Sequence, residues 1–358
     1  MKEGDGRYPV TIVTGFLGSG KTTVLSNVLR SKEYCNAAVI INEYGQAGLD
    51  HRLIRRVQEK TRLLSGGCIC CNMRDDLLKE IKEILNEAER GEIKMDRIVI
   101  ETTGLADPAP ILFSILMDPL LTNRFYVEGV VCCLDAANGE LHLQNHPESV
   151  KQIVAADIVI ITKTDLVESH TVQEMRSRLR QLNPAAVVAE AAEGKIDPHI
   201  VFAPEHNQIE TRQTQLEKIQ EHLTNDKPGH DREVCSMSIM FKEPLDWTAF
   251  GLWLSMLLYA HGEKMLRVKG IVDVGERGPV VINGVQHIIH PPHHLEDWHG
   301  EEQKNSQIVF IMKGIKPYQV MDSLLAFQNI LGSAPLIQEI NMDPYTCLLY
   351  TSPSPRDA

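Results

Sequence analysis

No stretch of this chain approaches the run of about 18–20 apolar residues that a membrane span requires, so a membrane protein is not expected. The segment from Met1 to Pro9 is polar and lacks a hydrophobic signal core; nothing there directs secretion, and a cytoplasmic location is expected. Positive charge is the minority sign, with 36 Lys and Arg against 48 Asp and Glu and a formal net charge of −12. That balance argues against a nucleic-acid partner, because phosphate backbones are held by clustered Lys and Arg. No internal repeat is visible. The eight cysteines do not form a secreted disulfide framework in a chain of 358 residues, and three of them fall within four positions. Such crowding points to a reducing compartment and to metal or redox chemistry.

With 43% hydrophobic residues, the chain has ample material for globular folding, and its 358 residues exceed what one core usually organises. Two domains are expected. In the first, residues 8–205, β-branched runs at Val10–Thr14, Ala37–Asn42, Arg97–Glu101, Val127–Leu134 and Asp157–Thr162 alternate with amphipathic stretches at Lys21–Arg30, Asp75–Arg90 and Thr171–Leu182. Near-continuous apolar strands alternating with helices predict an α/β fold, a mostly parallel sheet flanked by helices. Residues 206–233 are polar and Gln/Glu-rich and read as a linker, within which Leu216–Leu223 has the makings of a short helix.

A smaller α+β domain is expected over 234–333. Alternating Cys235, Met237, Ile239 and Phe241 predict a strand, and Trp247, Phe250, Leu254 and Leu257 a helix. Leu266–Val274, Val280–Ile289 and Gln307–Met312 predict further strands, and Pro317–Leu331 a closing helix. Asn283-Gly284 between apolar runs predicts a type I′ hairpin turn. Residues 345–358 continue no preceding pattern and read as a non-native tail, excluded from functional reasoning.

Four motifs carry chemistry. Gly15 to Thr22 (GFLGSGKT) matches G-x-x-x-x-G-K-[ST] between a strand and a helix. Gly15, Gly18 and Gly20 let backbone N–H groups, Ser19 included, curl around phosphate oxygens at a helix N-terminus that continues through Thr23. Lys21 is expected to reach the β- and γ-phosphates and Thr22 to hold Mg²⁺. Thr162-Lys163-Thr164-Asp165, directly after a strand, resembles the guanine-reading N/T-K-x-D motif. The Asp165 carboxylate can accept two hydrogen bonds that adenine cannot offer, and the Lys163 stem can lie along the base; a plain helix N-cap is the competing reading. Glu101-Thr-Thr-Gly104 ends another strand, where Glu101 can act on Mg²⁺ or on the attacking water and Gly104 can donate its N–H to a γ-phosphate.

The fourth motif is Gly67-Cys68-Ile69-Cys70-Cys71. Soft thiolates at Cys68, Cys70 and Cys71 select Zn²⁺ or Cu(I), leaving a fourth position for water, a partner's ligand or a carboxylate such as Glu43. A redox pair at Cys70–Cys71 and plain buried cysteines compete with that reading, while Cys132-Cys133 read as strand interior. His287 to His299 (HIIHPPHHLEDWH) adds His290, His293 and His294, which can hold zinc weakly or simply be solvated in a loop.

Taken in order, GFLGSGKTT, INEYGQAGLD, GGCICC, ETTGLADP and TKTD resemble the GTPase domain of CobW-type proteins over roughly Pro9 to Pro204. A weaker similarity to the CobW C-terminal domain spans Val234 to Leu331. The resemblance implies a GTP-binding and GTP-hydrolysing metallochaperone using GTP/GDP, Mg²⁺ and a transition metal, usually zinc and in some members cobalt or iron. It implies roles for Lys21, Thr22, Glu101, Lys163, Asp165 and the three clustered cysteines, and a client metalloprotein as partner. A nucleotide-binding zinc buffer or sensor without turnover is the alternative, and a small-molecule P-loop kinase is disfavoured by TKTD.

Overall fold

The computed structural model describes residues 6–41, 61–63, 72–202, 234–295, 297–298, 306–331 and 337–342. The expected linker, the tail, and the segments holding Glu43 and Cys68 to Cys71 lie outside the described residues. Two compact units form, Met1–Arg180 with Ala186–Gln208, and Gln181–Ala185 with Ile209–Ala358. Among the described residues, no helix is long and apolar enough to cross a membrane.

In the first unit, seven strands make one sheet: β1 (Tyr8–Thr14), β2 (Ala37–Ile41), β3 (Thr61–Leu63), β4 (Arg97–Glu101), β5 (Phe125–Asp135), β6 (Ile158–Thr162) and β7 (Val187–Ala191). Their order is β3-β2-β4-β1-β5-β6-β7 and every described pairing is parallel. The inner strands are largely apolar because both faces are covered: all five residues of β2 and of β6 are buried. Between strands run α1 (Lys21–Val28), α2 (Asn72–Glu89), α3 (Ala109–Met117), α4 (Pro119–Arg124), α5 (Gly139–Asn145), α6 (Pro147–Ala155), α7 (Ser169–Leu182) and α8 (Pro198–Phe202). One covered face packs Val13, Val39, Val99, Val131 and Ile160 against Leu25, Val28, Leu29 and Phe202. Each such side chain contributes roughly 1.5–3 kcal/mol when fully buried.

The sheet is built outward from β1. The chain leaves β1 towards β2 on one side and later fills β5, β6 and β7 on the other. That reversal makes the carboxyl end of β1 a topological switch point, where ligands of open α/β sheets bind.

The second unit is an antiparallel sheet in the order β11-β10-β9-β13-β8-β14, with β12 also paired to β10. Its strands are β8 (Val234–Phe241), β9 (Met265–Val272), β10 (Val280–Val285), β11 (Ile288–Ile289), β12 (His293–His294), β13 (Ser306–Lys313) and β14 (Ile337–Met342). Helices α9 (Trp247–His261) and α10 (Pro317–Leu331) bury Phe250, Trp253, Leu254, Val320 and Leu324 with Met237, Val268 and Phe310 of the sheet. Asp246 caps α9 by accepting the Ala249 N–H at 3.0 Å, and the Trp253 indole donates to Ser323 Oγ at 3.1 Å, joining the two helices.

Two expectations differ here. Asn283-Gly284 is not the hairpin turn: both lie inside β10, paired with Lys269 and Val268 of β9. The turn falls at Gln286-His287, with Gln286 at φ 54°, because Gly284 and Val285 still pair with Ile289 and Ile288 beyond it. Cross-strand pairing on both edges outweighed the local turn preference of Asn-Gly. Strand β14 was not anticipated. Its pairing with β8 shifts register between Ile337 and Glu339, which breaks the period-2 pattern a strand is recognised by.

Candidate nucleotide site

The β1–α1 loop is shaped by its glycines. Gly15 has φ 138°, and a Cβ there would lie 2.3 Å from the Cys133 carbonyl oxygen. Gly20, at φ 87°, is the N-cap of α1 and offers no side-chain cap, so the first N–H groups of the helix remain available to an anion. Lys21 is buried and folds back over the loop, donating from Nζ to the carbonyls of Gly15 at 2.9 Å and Phe16 at 3.1 Å. The Ser19 N–H donates to the Phe16 carbonyl at 3.1 Å, tightening the same turn.

Thr22 Oγ1 donates to Glu101 Oε1 at 2.6 Å, joining the start of α1 to the end of β4. These two oxygens fit a hard cation placed on the phosphates. Past Glu101, the Thr102 N–H donates to the Val13 carbonyl at 2.9 Å. A Cβ on Gly104 would lie 2.5 Å from the Leu17 backbone nitrogen, so the β4–α3 loop sits directly on the tip of the phosphate loop.

At the end of β6, Thr162 Oγ1 lies 2.7 Å from the Ser19 carbonyl and 3.2 Å from the Leu134 carbonyl. Lys163 takes a left-handed conformation, φ 57°, and its Nζ is 2.7 Å from Asp135 Oδ2 at the end of β5. Burial alone would raise the Asp135 carboxyl, but hydrogen bonds from Lys163, Asn138 and the Ala137 N–H outweigh it and hold the group below the usual carboxylate range. Asp165 is exposed, and its Oδ1 accepts the Glu193 N–H from the loop after β7 at 2.8 Å. Gly194 of that loop approaches Thr23: a Cβ there would lie 2.7 Å from Thr23 Cγ2.

The structure therefore gathers Gly15, Gly18, Ser19, Gly20, Lys21, Thr22, Thr23, Glu101, Gly104, Thr162, Lys163 and Asp165 at one edge of one sheet. Asp135, Gln152 and the Glu193–Gly194 loop were missed from sequence; Asp135 had a usable signal, since it ends a strand on the ligand edge. Cys132 and Cys133 are wholly buried, and burial pushes both thiols up, that of Cys133 to about 12, which disfavours the thiolate form.

Glu43, Cys68, Cys70 and Cys71 lie outside the described residues. In the second unit, His293 and His294 are consecutive on β12, so their side chains leave opposite faces, and His294 Nδ1 sits 3.3 Å from Glu276 Oε2. The His290 N–H donates to the Asn283 carbonyl at 2.8 Å. Among the described residues, no three His, Cys, Asp or Glu side chains are grouped to hold a metal ion.

Comparison with known proteins agrees with this geometry. Residues 9–190 match the family model described as CobW/HypB/UreG, nucleotide-binding domain, and residues 234–328 match that of the cobalamin synthesis protein cobW C-terminal domain. The chain is 31% identical to the zinc chaperone YjiA of Escherichia coli over 84% of its own length and 93% of the relative's. It is 35% identical to zinc-regulated GTPase metalloprotein activator 1 of Schizosaccharomyces pombe, over 53% of this chain and 47% of the relative. Among solved structures, a Zn(II)-bound triple mutant of the YjiA GTPase superposes with a TM-score of 0.66 at 26% identity, covering 90% of this chain and 99% of that one.

Proposed function

We propose, given that this chain belongs to the CobW/HypB/UreG family and carries the cobW C-terminal domain, that it binds and hydrolyses GTP and uses the cycle to hold and hand over zinc. The observation that carries this reading is the 2.6 Å contact between Thr22 and Glu101, placed where the metal-bearing segments begin. Ile41, the last residue of β2, is in register with Glu101, and Leu63, the last of β3, is in register with Ile41. Glu43 follows Ile41 by two residues and Cys68 follows Leu63 by five. A chain spans at most about 3.3–3.6 Å per residue and neighbouring strands lie about 4.8 Å apart, so both segments start within reach of the phosphate site.

In this reading the backbone N–H groups of 15–20 and Lys21 hold the phosphates, while Asp165 and Lys163 read guanine. Thr22 and Glu101 hold Mg²⁺, which neutralises charge on the β- and γ-oxygens. Zinc is cargo, bound by Cys68, Cys70 and Cys71, with Glu43 as a candidate fourth ligand. Similarity to zinc chaperones and to a zinc-regulated GTPase metalloprotein activator supports zinc over cobalt or iron. A client metalloprotein receives the ion. A γ-phosphate that engages the segments carrying Glu43 and Cys68 to Cys71 couples the two sites, and that coupling is reciprocal in binding free energy.

Competition titration against a zinc chelator, in the GTP-analogue, GDP and nucleotide-free states, tests this directly. Zinc affinity is expected to differ at least tenfold between the first two, about 1.4 kcal/mol of coupling. Replacing Cys68, Cys70 and Cys71 by Ser is expected to abolish tight zinc binding and leave GTP binding intact. Equal affinity in all three states ends the delivery reading, and absence of phosphate release with tight zinc binding leaves a nucleotide-bound zinc buffer.

A further inference from the structure

Gln152 is completely buried in the last turn of α6, yet it is polar and points away from its own helix. Its Nε2 donates to two carbonyls of the β4–α3 loop, Gly104 at 3.1 Å and Ala106 at 3.0 Å. Two carbonyl acceptors settle which end of the amide faces the loop, since only the NH₂ group can donate to both. The loop so held is the one whose Gly104 lies against the Leu17 backbone, with no room for a Cβ between them.

Helix α6 touches the phosphate loop as well. Its N-cap, His146, stacks on Phe16 with ring centroids 4.4 Å apart at 29°. One short helix therefore braces the phosphate loop at its start and the Gly104 loop at its end. A residue serving packing alone would be apolar here. Gln152 instead leaves its Oε1 buried without a hydrogen-bond partner among the described residues, a cost that cores ordinarily avoid.

We infer that Gln152 is a positioning residue that sets the Gly104 N–H where a γ-phosphate will sit, and so governs discrimination of GTP from GDP and the rate of hydrolysis. It touches neither nucleotide nor metal; it acts through the carbonyls on either side of Leu105. The inference rests on the GTPase reading above, because only a triphosphate carries the group that Gly104 would sense. A residue that merely stabilised the fold would weaken both nucleotides together. A residue that positions this loop leaves GDP almost untouched.

The test uses the full chain and its Gln152→Leu variant, which keeps bulk and removes both donors. Hydrogen exchange over residues 101–108, measured without nucleotide, is expected to quicken at least tenfold. GDP affinity is expected to stay within about threefold, while affinity for a non-hydrolysable GTP analogue and kcat each fall tenfold or more. If the leucine variant does not fold, Gln152→Met, unbranched and of matching reach, takes its place. Unchanged exchange, or equal loss for GDP and the GTP analogue, overturns the inference. A wild-type chain that releases no phosphate removes the GTPase reading instead, and the exchange measurement still judges the hold of Gln152 on its loop.

Discussion

The hydroxyl of Thr162 donates a 2.7 Å hydrogen bond to the carbonyl of Ser19, a residue 143 positions away in the chain. The first residue of the Thr162–Asp165 segment is thereby fastened to the middle of the phosphate loop. A Cβ on Gly20 would lie 3.5 Å from the same hydroxyl, so the two loops meet at Ser19 and again at Gly20. This contact fixes where the Thr162–Asp165 segment stands relative to the phosphate loop.

Asp165→Asn is expected to weaken GTP far more than ATP. Guanine N1–H and its amino group would lose their shared acceptor, at about 1–3 kcal/mol. The Glu193 N–H, 2.8 Å from Oδ1, can still donate to the asparagine oxygen, so the fold is kept. Isothermal titration with both nucleotides checks it. Equal losses would show that the loop does not read the base.

Lys21→Ala is expected to lower kcat by about 10²-fold or more, because the charge that stabilises the transferring phosphoryl group is gone. The carbonyls of Gly15 and Phe16 lose the donor that now spans them. A stability cost of about 1 kcal/mol is expected from that loss. Single-turnover phosphate release and thermal melting separate the two effects.

Asp135 supplies a pH dependence of known sign. Its carboxyl is held below the usual range in the fold, so it binds fewer protons there than in the unfolded chain. Its contribution is therefore complete above the unfolded carboxylate value of about 3.9 and disappears as pH falls through the lower folded value. Asp135→Asn is expected to reduce stability and guanine-nucleotide affinity at pH 7. The difference in Tm from wild type should shrink as pH falls through the ordinary carboxylate value of about 3.9 and on through the lower folded one. A difference that stays constant over that window would mean the ion pair with Lys163 contributes nothing.

Cys132 and Cys133 are expected to resist iodoacetamide at pH 8 in the native chain. A thiol pushed up to about 12 is protonated at every pH below that, and only the thiolate attacks. Exposed Cys35 is expected to react readily. Mass spectrometry of the alkylated peptides reads both. Fast labelling at Cys133 without unfolding would contradict its burial.

The phosphate loop was legible because its chemistry is local. Three glycines, a lysine and a threonine at fixed spacing need only the strand before and the helix after. The inner parallel strands β1, β2, β4, β5 and β6 were legible for a related reason, since strands buried on both faces are largely apolar, whereas the edge strands β3 and β7 lack that pattern. Asp135 could be found only as a carboxylate ending a strand on the ligand edge; nothing near it in sequence says that Lys163 will reach it. Gln152 carried no signal in the sequence, because its role comes from the β4–α3 loop packed against it.

Sequence alone thus located strands β1, β2, β4, β5, β6, β8, β9, β10 and β13, helices α1, α2, α7, α9 and α10, and the glycines of the phosphate loop, all of which depend on neighbours within a few positions. Only the tertiary structure decided the strand order that reverses at β1, and with it which strand ends share an edge. It moved the hairpin turn from Asn283-Gly284 to Gln286-His287, since pairing with β9 and β11 outweighed a local preference. It also decided that Thr162 meets Ser19, that Lys163 meets Asp135 and that Gln152 holds Gly104. Contacts between residues tens to more than a hundred positions apart carry no local periodicity, and only the closing of the chain on itself specifies them.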